Sequence, residues 1–153
     1  MHNLKTVFNL CRTLGIAAEI LPRNFPRMVI LRAINCPGAD WVGYGGTDKN
    51  SQPFVTVNMA HTHSLTDLIA TMAHEMLHIQ QARSGTGVDH GNKFRQDCAK
   101  FAQILGVTYY HLNGYDKPSV STVKAQCAKK IQHIQNYHKK KKAGKIKPIS
   151  QEL

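Results

Sequence analysis

The sequence predicts an α+β fold: a small, mostly antiparallel sheet packed on one long helix, with further helices around it. Three observations carry this expectation. Apolar residues at helical spacing open the chain, three short β-type runs follow between glycine and proline clusters, and two strongly patterned helical segments come next. At 153 residues the chain is long enough for one domain with its own core and too short for two full-sized ones. Hydrophobic residues make up 42% of it, which argues against wholesale disorder.

Taken in order, Leu4, Val7, Phe8, Cys11 and Leu14 trace one apolar face, and Gly15 reads as the stop of a helix over 4–14. The β-type runs are Met28–Leu31, Trp41–Tyr44 and Phe54–Val57, separated by Cys36-Pro37-Gly38, Gly45-Gly46 and Gln52-Pro53. Ser64 with Asp67 three residues on forms a capping box. Behind it Leu65, Leu68, Ile69, Met72, Ala73 and Met76 form a continuous apolar stripe, predicting a helix over 65–82 that ends at Ser84-Gly85. Phe94, Cys98, Phe101 and Leu105 predict another over 92–105, closed by Gly106, and Val120, Val123, Cys127, Ile131 and Ile134 suggest a weaker last helix. The lysine-rich residues 139–153 read as a flexible basic tail, leaving 1–138 as a single domain.

Charge narrows the class of partner. Lys plus Arg is 20 and Asp plus Glu is 9, a net +11, which favours acidic partners, nucleic acid first among them. Removing 139–153 takes away six Lys and one Glu, so 14 basic residues still face 8 acidic ones. No apolar run approaches the roughly 18 residues of a membrane span. The N-terminus shows no basic stretch leading into an apolar segment with a small-residue cleavage site. Cys11, Cys36, Cys98 and Cys127 are scattered, with no CxxC pair, so reduced thiols and a cytoplasmic setting are expected.

Chemistry concentrates inside the 65–82 helix, in His74-Glu75-Met76-Leu77-His78. Two His four residues apart lie one above the other on a helix face, so both imidazoles can reach one ion. Glu75 is placed to reach a water at that ion without ligating it, which is what metal-assisted hydrolysis requires. The chain's own His and Glu frequencies make a chance HExxH roughly a 1% event. The pattern calls for one Zn²⁺ per chain and a third protein ligand. His90 is the nearest downstream His, and about six residues of loop reach some 20 Å when extended, enough to bring it back over the helix. Phe94 on the next helix would lock it against the core. His61 and His63, two apart after the third strand, are the alternatives, followed by Asp97, with Asp89 as a further candidate to close a fourth position. Glu19 has no spacing argument.

His74-Glu75-Met76-Leu77-His78 followed by His90-Gly91-Asn92-Lys93-Phe94 resembles the SprT-like zinc metallopeptidases, the family that includes the Spartan proteases acting on DNA–protein crosslinks. The resemblance covers residues 64–106 and extends loosely back to the strands. It implies a zincin-like fold, zinc on His74, His78 and His90, Glu75 as general base, and the Pro53–Asn58 strand as the sheet edge that aligns an extended peptide. It also implies protein substrates associated with DNA. The paired cysteines of the C-terminal zinc ribbon that many members carry are absent, so the chain is similar to a minimal version of the kind found in phages and mobile elements, which would act in the host cytoplasm. Tyr109, Tyr110, His111 and Tyr115 are candidates for the group that steadies the oxyanion, and Trp41 for stacking on an unpaired base. Two other functions fit the same residues: a non-catalytic, zinc-stabilised DNA-binding domain, or a peptidase of processing or lysis with no nucleic-acid role.

Overall fold

The structure, a computed structural model, describes residues 3–114, 132, 134–140 and 142. The chain divides between Asp116 and Lys117 into two compact units. In the second, residues 134–140 are helical. Most of the expected last helix and tail lies outside the described residues. Among the described residues no helix is long and apolar enough to cross a membrane.

In the first unit, α1 spans Leu4–Ala17, with Asn3 capping it by accepting from the Lys5 amide at 2.8 Å. Gly15 does not end it. A Cβ there would stand 2.7 Å from Leu21 Cδ1 and 3.0 Å from Phe101 Cζ, so this glycine marks a close crossing rather than a stop. Past the helix, Arg12 donates to the carbonyls of Phe25 (Nη2 at 2.8 Å) and Pro26 (Nε at 3.2 Å), pinning the connecting segment to α1.

Three strands follow: β1 (Ile30–Ile34), β2 (Gly43–Thr47) and β3 (Pro53–Asn58). They lie in the order β1-β3-β2, with β1 parallel and β2 antiparallel to β3. The sheet is therefore mixed, not mostly antiparallel, and β3 is its centre, not its edge. The turn signals mark where the chain reverses but not where the next strand inserts. The tight Asp48–Gln52 turn, in which Asp48 Oδ1 accepts from the amides of Asn50 and Gln52 at 2.8 and 2.9 Å, folds β3 back beside β2. There β3 takes the middle place, with Val55 and Val57 wholly buried. Pairing to β3 also sets the strand bounds, so β1 and β2 each begin two residues later than the apolar runs suggest. At the end of β3 the buried Asn58 side chain holds the β1–β2 connection. It accepts from the Cys36 amide at 3.0 Å and donates to the carbonyls of Cys36 and Trp41 at 2.9 and 3.1 Å.

The long helix α2 spans Leu65–Ser84 and packs against β2, β3, α1, α3 and α4. Ser64 Oγ accepts from the Asp67 amide at 3.0 Å, and Asp67 Oδ2 accepts from the His63 amide at 2.8 Å, one residue further back than a standard capping box. Gly85, at φ 72°, ends the helix. α3 spans Asn92–Leu105 as the apolar spacing predicts, burying Phe94, Cys98 and Phe101, and α4 spans Tyr109–Asn113 behind a Thr108 cap. Cys11 and Cys98 are buried, Cys36 is exposed, and none of the three forms a disulfide. The α+β class stands, with the long helix at its centre.

Candidate metal centre

The two HExxH imidazoles rise side by side from α2, and His90, just before α3, folds back to meet them. His74 and His78 Nε2 stand 3.1 Å apart, His78 and His90 Nε2 3.2 Å, and His90 and His74 Nε2 3.3 Å. Tetrahedral zinc at 2.0–2.1 Å from each nitrogen requires separations of about 3.3 Å. Of the described residues, these three form the group able to hold a metal ion.

The protonation pattern says the same. His74 Nδ1 donates to the Leu112 carbonyl at 2.7 Å, and His78 Nδ1 donates to Gln81 Oε1 at 2.8 Å. A neutral imidazole protonated at Nδ1 has a bare lone pair at Nε2. The close approach of His74 and His78 Nε2 is therefore two acceptors turned toward each other, an arrangement that a cation between them relieves. Phe94 backs all three rings. Its ring stacks on His78 at 4.6 Å and 12°, and meets His74 and His90 edge-on at 5.0 Å each.

Burial pushes the His74 pKa down to about 4 and holds His78 below the ordinary imidazole value. Both ligands thus need no proton displaced near neutrality. Zinc affinity should fall less between pH 7.5 and 6 than the roughly 50-fold that three ordinary imidazoles would cost. Competition with a chelator of known pH response measures this, and a 50-fold loss contradicts it.

Glu75 is buried, 6% exposed. Burial pushes its carboxyl up to about 8. β2 passes directly over it. A Cβ on Gly43 would stand 3.2 Å from Glu75 Oε1, and one on Gly45 2.9 Å from Oε2. Glycine at both positions is what lets the strand lie this close.

The alternative ligands lie outside the group. His61 Nε2 meets the Ala39 carbonyl, His63 is exposed, and Asp97 pairs with Lys93 at 2.8 Å. Asp89 Oδ1 accepts from Gln81 and from the Gly91 amide, and Glu19 sits at φ 59° in the turn after α1. Of the oxyanion candidates, Tyr110 is exposed, Tyr109 packs on the core and His111 pairs with Asp67 at 2.7 Å. Tyr115 lies outside the described residues. Trp41 is half-buried, its ring edge-on to Tyr44 at 5.5 Å.

Three contributors went unread in the sequence: the Leu112 carbonyl, the paired role of Gly43 and Gly45, and the Asn58 anchor. Only the glycines left a signal, since glycine within a strand marks a close approach of something else. No family model, no curated protein and no solved structure matches the chain.

Proposed function

We propose that the chain is a zinc-dependent endopeptidase of the SprT-like kind, with Glu75 as the general base. The observation that supports this is the conjunction of three imidazole nitrogens 3.1–3.3 Å apart with a buried carboxylate one residue from the first of them. His74, His78 and His90 would hold the ion. Zinc there supplies a Lewis acid for the scissile carbonyl and for water. Glu75 takes the proton of the attacking water and hands it to the leaving amine. A dication favours the ionised carboxylate that this needs, against the pull of burial.

The edge strand over Glu75 is β2, so β2 rather than β3 would align an extended peptide through main-chain hydrogen bonds. A structural zinc site closes with four protein ligands. Three His form the group among the described residues, which favours the catalytic reading over a zinc-stabilised binding domain.

The substrates we propose are proteins on nucleic acid. Residues 1–116 hold ten basic and eight acidic side chains, and residues 117–153 hold ten Lys and one Glu. The surplus is thus +2 in the unit with the metal centre and +9 in the other. Cleavage of a basic DNA-binding protein by the zinc-loaded chain, with and without single-stranded DNA, tests both halves. We expect cleavage that DNA stimulates, and DNA affinity that falls steeply between about 50 and 200 mM salt. A flat salt response removes the nucleic-acid half, and no cleavage by zinc-loaded protein removes the peptidase.

A further inference from the structure

His90 is the ligand with the least to hold it. It is exposed, as are residues 83–89 before it, and Val88 in that stretch is 56% exposed. Gly85 and Gly87 take φ of 72° and 82°, so the segment has left-handed turns and little apolar burial. Such a segment has many alternatives to the one conformation that brings His90 to the other two imidazoles.

One side chain on α2 bridges it to the site. Gln81 Oε1 accepts from His78 Nδ1 at 2.8 Å and from the Asp89 amide at 3.3 Å. Gln81 Nε2 donates to the Asp89 carbonyl at 3.1 Å and to Asp89 Oδ1 at 3.1 Å. Both lone pairs and both N–H groups of the amide are used, the full capacity of the group. Asp89 Oδ1 also accepts from the Gly91 amide at 3.0 Å, so both neighbours of His90 in the chain are tied into the same cluster.

We propose that Gln81 is a positioning residue that couples the second metal ligand to the third. Through one amide it fixes the Nδ1-protonated form of His78 and holds the His90 segment in the place where its Nε2 completes the group. The proposal rests on the reading that the three imidazoles hold zinc, and its test does not use peptidase activity. No other uncharged side chain matches this pattern at that length. Glu keeps the acceptor for His78 but loses both donors and sets a carboxylate against Asp89. Leu keeps the bulk and loses all four hydrogen bonds.

The test measures zinc affinity of the full 153-residue chain by chelator competition, together with the visible spectrum of the cobalt-loaded protein. The set is wild type, Q81L, Q81E, H90A and the double variant Q81L/H90A. We expect Q81L to lose about 10–100-fold in zinc affinity, and its cobalt bands to weaken as a nitrogen ligand is lost. Q81E should fall between wild type and Q81L, and Q81L should cost clearly less in the H90A background than in wild type, since only its bond to His78 is left to lose there. That last result separates positioning of His90 from a general loss of stability, which would add to the H90A effect. Wild-type affinity and spectrum in Q81L, or additive losses in the double variant, overturn the proposal. Q81E carries the test if Q81L fails to fold. A wild-type chain that binds neither ion overturns the zinc reading, and the proposal with it.

Discussion

Replacing Glu75 by Gln lowers hydrolysis by about 10²–10⁴-fold, leaves zinc affinity close to wild type, and makes the metal-free protein more stable above acidic pH. The first effect follows from chemistry, since an amide cannot accept the proton of the attacking water. The second follows from geometry, because the ion is held by His74, His78 and His90 and the swap is nearly isosteric. The third follows from burial. The Glu75 carboxyl is pushed up to about 8 from 4.5 in the metal-free fold. Its stabilising share is complete below pH 4.5 and is lost as pH rises through 8, because the folded state there binds a proton that the unfolded state has released. Gln does not ionise, so the stability of E75Q relative to wild type should climb across that window. Melting curves of both metal-free proteins at several pH values measure it, with a relative rise of several degrees expected. A flat difference in melting temperature across pH would mean that Glu75 is solvated and not covered by β2. Full hydrolysis by E75Q would remove it from the mechanism.

What could be read from the residues alone was whatever chain neighbours decide. The helix under the HExxH residues, its Ser64 cap, the bounds of α3 and the return of His90 all depend on spacing within about thirty residues, and spacing is printed in the sequence. Gln81 lies three residues past His78, so its bond to that ring also rests on near spacing. What chain separation hides was not legible. Gly15 looks like a helix stop until Phe101 is seen against it, 3.0 Å from where its Cβ would be. The same holds for the place of β3. Two turns and three apolar runs fit a meander equally well, and only burial of Val55 and Val57 on one face with strands on both sides decides for the mixed order. The Leu112 carbonyl has no side-chain signature at all. It reaches His74 because α4 packs on α2, thirty-eight residues away in the chain.

Gly45→Ala should be nearly as damaging to activity as loss of Glu75, by a different route. A Cβ at Gly45 would stand 2.5 Å from Glu75 Cβ and 2.8 Å from the Glu75 backbone carbonyl. Neither atom is the free end of a flexible side chain, since both belong to the rigid middle of α2. The strand must lift, and it cannot do so alone, because Gly45 pairs with Val55 of β3, whose side chain is wholly buried. Overpacking of this kind costs about 1–3 kcal/mol. A displacement of about 1 Å at a base or a substrate-aligning strand costs roughly 10²-fold in rate, and here one substitution shifts both. Gly38→Ala is the matched control, since a Cβ there meets nothing within 4 Å and no positive φ is involved. It should stay within about 0.5 kcal/mol of wild type. Zinc affinity divides the causes. All three ligands lie off β2, so G45A should keep zinc while losing hydrolysis. Retention of both would show that β2 yields freely, and that the glycines are there for another reason than to let the sheet edge cover Glu75.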